Sequence, residues 1–243
     1  MAPAGFGLRV EGLNAVRAAA ECGRVVDLWV ERSRVRAAAD ILDVVRSNRG
    51  RVHEVESLRD RAETEHHQGM VADCLPLAIA TLDQLVETDL PALMVLDHIV
   101  DPHNLGAIAR SSLAAGMTGL VASNRRAAPF SATAFSAAAG AFEFLPVAMV
   151  SSIPDALARL NQRGVWSVGL DKAGPEELFG LELLSEPVSI VVGAEGAGLS
   201  ALVRSRLEVI VRIGLATGVE SLNVSVAAAL AAFEIKRIRD IEK

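Results

Sequence analysis

The chain has 243 residues, 51% of them apolar, and a formal net charge of −6. That length accommodates one large domain or two modest ones around a sizeable core, and no apolar run reaches the ~20 residues that a bilayer span requires. The opening residues lack a basic segment followed by an apolar one, so no secretory leader is expected and the cytoplasm is the expected compartment.

Residues 10–23, "VEGLNAVRAAAECG", have helical spacing, and "VVDLWV" follows as a strand. "RVRAAADILDVVRSNRG" (34–50) predicts a helix ended by Gly50. "RVHEVE" predicts a strand, "SLRDRAE" a short helix and "GMVADCLPL" a third strand. This alternation over residues 1–75 predicts a small α/β/α unit. Residues 76–90 read as a partly helical linker.

A second alternating pattern fills residues 91–243 and predicts a doubly wound α/β domain. Its strands are "ALMVLDHI", "GLVASN", "LPVAMV", "VWSVGLD", "VSIVVGAE" and "VIVRIGL". Its helices are 104–116, 131–142, 153–164, a short one at 199–206, and the closing segment from Ser221. Gly116 and Gly164 stop two of them.

Cys22 and Cys74 are the only cysteines and lie far apart, which argues against a disulfide framework or a zinc site and for apolar packing. His66 and His67 are adjacent, poor spacing for chelation on a regular element, so no metal is expected. His98 and His103 read as loop residues. Of 24 basic residues only Lys172, Lys236 and Lys243 are lysines. Arginine suits bidentate phosphate contacts and stacking, although the acidic net charge argues against bulk nucleic-acid binding. DNA binding is not expected.

Three glycine-marked turns follow strands of the second domain, where ligands of open parallel sheets bind. "VVGAEGAGLS" has the order G-x-x-G-x-G, the reverse of a dinucleotide fingerprint, and no phosphate-cradling P-loop occurs. Glu195 stands inside that tight turn and needs a donor nearby. "SLNVSVA" lets Ser221 cap the last helix and places Asn223 inside it, where a buried amide needs partners. In "DPHNLGAIARSSLAAG", Asn104 can cap the helix, and Arg110 stands between the small residues Ala109 and Ser111.

Taken together, "LDHIVDPHNLGAIARSSLAAGMTGLV" (96–121), "SIVVGAEGAGLS" (189–200) and "VESLNVSVAAALAAFE" (219–234) resemble the three motifs of the SpoU (TrmH-like) family of RNA 2'-O-ribose methyltransferases. "HHQGMVA" (66–72) is similar to the end of that family's amino-terminal, ribosomal-protein-L30e-like substrate-binding domain. The resemblance implies a parallel-sheet α/β catalytic domain with a deep carboxyl-terminal trefoil knot. It implies S-adenosylmethionine as methyl donor, held by backbone around Gly193, Ile213 and Leu222, where glycine permits close approach. A valine at Gly193 is therefore expected to intrude on the donor.

The same resemblance implies a site of Asn104, Arg110, Glu195, Ser221 and Asn223. Arg110 would activate the ribose hydroxyl or grip a phosphate of the target nucleotide, Asn104 would hold Arg110 or the substrate backbone, Glu195 would position Arg110 or Asn104, and Ser221 and Asn223 would complete the site. A homodimer through the knotted domain is implied, and RNA, most nearly 23S ribosomal RNA, is the implied partner. A tRNA substrate, an antibiotic-resistance role, and a non-catalytic RNA-binding protein that kept the fold stay open. RNA contacts are expected from Arg32, Arg34, Arg36, Arg46, Arg49 and Arg51, with Arg125 and Arg126 in the second domain. Two departures stand out: Gly214 replaces the usual proline before the third motif, and "TAFSAAAG" lacks a basic residue.

Overall fold

The computed structural model describes residues 5–124 and 127–241. The amino-terminal unit consists of β1 (Arg9–Glu11), α1 (Leu13–Glu21), β2 (Val25–Glu31), α2 (Ala39–Ser47), β3 (Arg51–Val55) and β4 (Met70–Cys74). Its sheet has the order β1-β4-β2-β3; β2 and β3 run parallel, and β4 is antiparallel to β1 and β2. The segment expected to start as a helix begins instead with β1. Gly12, at φ +91°, turns the chain between strand and helix, a conformation that L side chains rarely adopt.

The expected helix at 57–63 is not formed. The backbone N–H groups of Glu63 and Thr64 donate to the buried Glu11 carboxylate at 2.7 and 3.0 Å, and that of Leu58 donates to Glu31 Oε1 at 3.2 Å. These bonds hold the segment as turns against the sheet. Cys74 is buried, and burial pushes its thiol up to about 12, whereas Cys22 is exposed at the end of α1 and packs into no core.

The second unit contains α3 (Leu82–Leu85), β5 (Ala92–Asp97), α4 (Pro102–Ala114), β6 (Gly119–Ser123), α5 (Ala132–Ala138), β7 (Val147–Val150) and α6 (Ile153–Gln162). It continues with β8 (Trp166–Leu170), β9 (Glu176–Glu177), β10 (Val188–Gly193), α7 (Ala201–Arg204), β11 (Val209–Arg212) and α8 (Val224–Ile241). The seven strands are parallel, in the order β7-β6-β5-β10-β8-β11-β9. Every residue of β5 is buried, and five of the six in β10. That explains their unbroken apolar runs: parallel strands covered on both faces have no solvent side to alternate toward. The two-residue β9 and a 3-10 turn at Glu182–Ser185 have no periodic signal and were not expected. No described helix is long and apolar enough to cross a membrane.

The two units share one core. Phe6, Phe130, Phe135 and Phe142 form a cluster with centroid separations of 4.7–6.2 Å. Beside it, Arg24 Nε donates to Glu143 Oε2 at 2.7 Å and Arg24 Nη1 to the Gly7 carbonyl at 3.1 Å, with both charged side chains buried. Residues 76–90 are an ordered strap. Leu77 N–H donates to the Phe6 carbonyl at 2.8 Å, and Ala80 N–H to the Val147 carbonyl at 2.8 Å on the outer edge of β7. A capping box of Thr81 and Gln84 starts α3.

Helix α4 is set by its packing on α5. At Gly106 a Cβ would lie 2.4 Å from the Ala134 carbonyl oxygen and 2.6 Å from Ala137 Cβ. Only hydrogen fits there, so the two helices approach backbone to backbone. Gly106→Ala should lower stability by about 1–3 kcal/mol, the usual range for overpacking, read as a fall in the urea unfolding midpoint. An unchanged midpoint would mean that the α4–α5 contact is not close.

Candidate active site

Three loops at the carboxyl edge of the parallel sheet meet at one carboxylate. The β5–α4 loop and the first turn of α4 supply Asn104. The turn after β10 supplies Glu195, and the loop between β11 and α8 supplies Asn223. Asn104 Nδ2 donates to Glu195 Oε1 at 3.0 Å, Asn223 Nδ2 donates to the same oxygen at 2.7 Å, and Asn223 Nδ2 also reaches Asn104 Oδ1 at 3.1 Å.

The caps differ from those expected. Asp101, not Asn104, caps α4 by accepting from His103 N–H at 2.9 Å, and Pro102 follows in the first turn. His103 is therefore helical, whereas His98 lies in the loop as expected. Released from capping, Asn104 is buried within the first turn and aims at Glu195. Likewise Asn223, not Ser221, stands just before α8, and its Oδ1 accepts from Ser225 N–H at 2.8 Å. Asn223 is exposed rather than buried, and Ser221 is exposed without a hydrogen bond among the described residues.

Arg110 joins none of these contacts. It is exposed, and no hydrogen bond or ion pair reaches its guanidinium among the described residues. Six helical residues turn the chain by about 240° and advance it by about 9 Å, so Asn104 and Arg110 occupy different faces of α4. Glu195 thus positions the two asparagines and does not bond to Arg110.

Sequence reasoning missed Asp97. It ends β5 fully buried, accepts the Ser200 N–H at 2.7 Å on Oδ2, and meets His98 Nδ1 at 2.6 Å through Oδ1. One carboxylate therefore braces the loop after β5 against the loop after β10. The available signal was an aspartate closing the apolar run "ALMVLD".

The glycines of the expected donor loops play unequal parts. A Cβ at Gly193 would lie 2.2 Å from the Gly198 carbonyl carbon. The side chain would strike the chain's own returning turn, where Gly198 N–H donates to the Ala194 carbonyl at 2.8 Å. A valine at 193 would therefore break the turn, rather than only intrude on a ligand. At Gly214 a Cβ would meet only Glu177 Oε2, at 3.4 Å, so the fold does not demand glycine there. The backbone N–H groups of Ile213 and Leu222 meet no acceptor among the described residues. Paired with the close turn at Gly193, these open donors fit a ligand read by backbone contacts. Among the described residues, no group of three or more His, Cys, Asp or Glu side chains could hold a metal ion.

A sequence model of the SpoU rRNA Methylase family matches residues 91–233, more than half of the chain. The chain belongs to the SpoU rRNA methylase family. A second model, RNA 2'-O ribose methyltransferase substrate binding, matches residues 9–80. Among curated relatives, the 23S rRNA (guanosine-2'-O-)-methyltransferase RlmB of Pseudomonas aeruginosa is 35% identical over 95% of this chain and 96% of its own length. RlmB of Ralstonia nicotianae is 39% identical over 76% of each chain. Among solved structures, the SpoU methyltransferase AviRb from Streptomyces viridochromogenes, in complex with the cofactor AdoMet, superposes with a TM-score of 0.80. It is 25% identical, and the match covers 97% of this chain and 91% of that one.

The amino-terminal arginines of this SpoU-family chain are spread over its surface. Arg32 pairs with Glu56, Arg46 with Asp43 at 3.3 Å, and Arg51 Nε donates to Asp27 Oδ1 at 2.7 Å. Arg34, Arg36 and Arg49 are exposed and make no ion pair among the described residues. Arg125 and Arg126 lie outside the described residues.

Glu195→Ala should cost about 1–3 kcal/mol by leaving the buried Asn104 amide without its acceptor. Combined with Asn223→Ala, the loss should fall short of the sum, with a coupling of about 0.5–3 kcal/mol in urea unfolding; strict additivity would dissolve the bridge. A second expectation concerns acid. Arg51, and then His53, hold the Asp27 carboxyl well below the usual carboxylate range. The stability this confers is present above the unfolded value near ~3.9 and is lost as pH falls through the lower folded value. The stability gap between the parent and Asp27→Asn should therefore narrow on acidification from about pH 5; a constant gap would refute the pairing.

Proposed function

We propose that this protein transfers a methyl group from S-adenosylmethionine to the ribose 2'-hydroxyl of a nucleotide in 23S ribosomal RNA. The observation that carries the reading is the convergence of Asn104, Glu195 and Asn223 from three separate loops on one point at the strand ends. The relatives named above as 23S rRNA guanosine-2'-O-methyltransferases support the substrate class, and ribosomal RNA implies the cytoplasm.

S-adenosylmethionine brings an electrophilic methyl group together with its leaving group, so the chain's own work is to align the 2'-hydroxyl, whose proton passes to solvent as the oxygen–methyl bond forms and the methyl–sulfur bond breaks. The open N–H groups of Ile213 and Leu222 would hold the donor, with the turn at Gly193 closing beside it. The Glu195 bridge keeps the asparagine amides fixed, so they present a preorganised polar wall where the nucleotide enters. Ser221, two residues before Asn223, would add a hydroxyl to the site. The planar fork of Arg110 suits a phosphate of the target nucleotide, which would orient the ribose.

A second copy of the chain is the natural occupant of the face between α4 and α8. A shallow groove of about 400 Å³ there is lined by Ala107, Ser111, Val226, Ala229, Leu230 and Phe233. Val226 and Phe233 are nearly half exposed, an arrangement that suits small-on-large packing across a dimer axis. In this reading the carboxyl-terminal segment is threaded as a trefoil knot. The return of α8 onto α4, β5 and β10, after the two loops that flank Glu195 and Asn223, supports it.

The test is transfer of labelled methyl from S-adenosylmethionine to unmodified 23S and 16S ribosomal RNA and to tRNA, followed by digestion to nucleosides. Label in a 2'-O-methyl nucleoside from 23S RNA is the expected result. Donor binding without label on 23S RNA or its particles, or no donor binding at all, would overturn the reading. Arg110→Ala should cut transfer at least about 100-fold while donor affinity, measured by calorimetry, changes little.

A further inference from the structure

Tryptophan occurs twice in this chain, as Trp29 and Trp166. Trp29 lies on β2, half-buried, on the face opposite the fully buried Leu28 and Val30. Its register partner on the edge strand β3 is His53. The two rings stack with centroids 5.1 Å apart and planes 18° from parallel, and the Arg61 guanidinium lies 4.0 Å from the indole centroid.

Each member of this stack is held from outside it. Asp27 Oδ1 lies 2.7 Å from His53 Nε2 and accepts from Arg51 Nε at 2.7 Å, which fixes the imidazole plane. Arg61 stands on a tight turn, its own N–H donating to the Leu58 carbonyl at 2.9 Å, and Leu58 is fully buried beneath. The turn is therefore anchored while the Arg61 side chain stays exposed.

Residues 32–61, the stretch that carries His53 and Arg61, contain eight arginines, five acids and no lysine. The guanidinium groups of Arg34, Arg36, Arg49 and Arg59 make no ion pair among the described residues.

We propose that the Arg61–Trp29–His53 stack is a nucleobase-binding site for an unpaired segment of the RNA substrate, an inference that rests on the RNA-methyltransferase reading above. Unpaired RNA is recognised by stacking splayed bases on aromatic rings and guanidinium planes, an option that a base-paired helix does not offer. An exposed cation–π contact is weaker than a base–aromatic stack, so an incoming base takes the place of Arg61 on the indole. The displaced guanidinium then meets the phosphate flanking that base, where its planar fork binds in bidentate fashion. Without RNA, Arg61 covers the ring and shields an apolar surface from water.

The experiment uses the full chain carrying Trp166→Phe, so that Trp29 is the sole tryptophan. Its fluorescence is titrated with a single-stranded oligoadenylate of about 12 nucleotides and with a duplex RNA of equal length. In parallel, anisotropy of labelled RNA reports total binding. Saturable quenching by the single strand, with about tenfold weaker binding for Trp29→Leu and near-parent binding for Trp29→Phe, is the expected result. Arg61→Ala, on an exposed turn where folding is not at risk, should weaken the same binding and lower its salt dependence. Equal affinity of Trp29→Leu and the parent, or quenching by the duplex as strong as by the single strand, would overturn the site. Quenching that obeys these rules in a protein with no methyl transfer would leave the stack standing and remove the catalytic reading instead.

Discussion

The Glu195 carboxylate accepts both asparagine amides on a single oxygen, and through that oxygen the three loops at the strand ends become one body. Without it, Asn104 would be a buried amide without its acceptor, and the loop before α8 would be left, among the described residues, with only the Asn223–Asn104 contact at 3.1 Å. Hydrogen bonds to a carboxylate are among the stronger ones available to a side chain, and each here also selects an orientation. Asp97 repeats the device one layer deeper, joining Ser200 and His98 to the end of β5. Two carboxylates therefore hold a surface that is otherwise built from turns.

What lets those carboxylates work is the register of the parallel sheet. Gly193 pairs with Asp97 across β10 and β5, so both chains leave the sheet at the same level. The turn after Gly193 folds back so tightly that no Cβ is tolerated there. The glycine serves the fold itself, because the chain's own turn demands close backbone approach there.

The amino-terminal unit is not a loosely tethered appendage. Its phenylalanine contacts, the buried Arg24–Glu143 pair and the strap along β7 join it to the catalytic unit through one core. An RNA segment bound near Trp29 and Arg61 would thus be held by a body continuous with the one that carries Glu195. The scarcity of aromatic residues sharpens the division of labour: four of the seven phenylalanines pack the junction, and Trp29 stands on the outer sheet face.

Much of this was legible in the chain itself. Apolar runs such as "ALMVL" and "SIVV" mark strands buried on both faces, and the three motif stretches single out Asn104, Glu195 and Asn223, which the fold brings together, because their types and order are local properties. Capping was misread at Asn104 and Ser221, since an asparagine and a serine near a helix start cap equally well on paper. The choice fell to neighbours, Asp101 for one helix and Asn223 for the other, whose side chains reached the backbone first. The segment 57–63 has helical composition, yet Glu11 and Glu31, far away in the chain, captured its N–H groups. The sequence by itself determined most of the elements, the order of the motifs and the family. Only the tertiary structure decided that Glu195 holds Asn104 and Asn223 rather than Arg110, that Gly193 is required by its own turn, and that Arg61 covers Trp29. Those contacts join residues up to 91 positions apart, and their geometry exists only once the strands have paired.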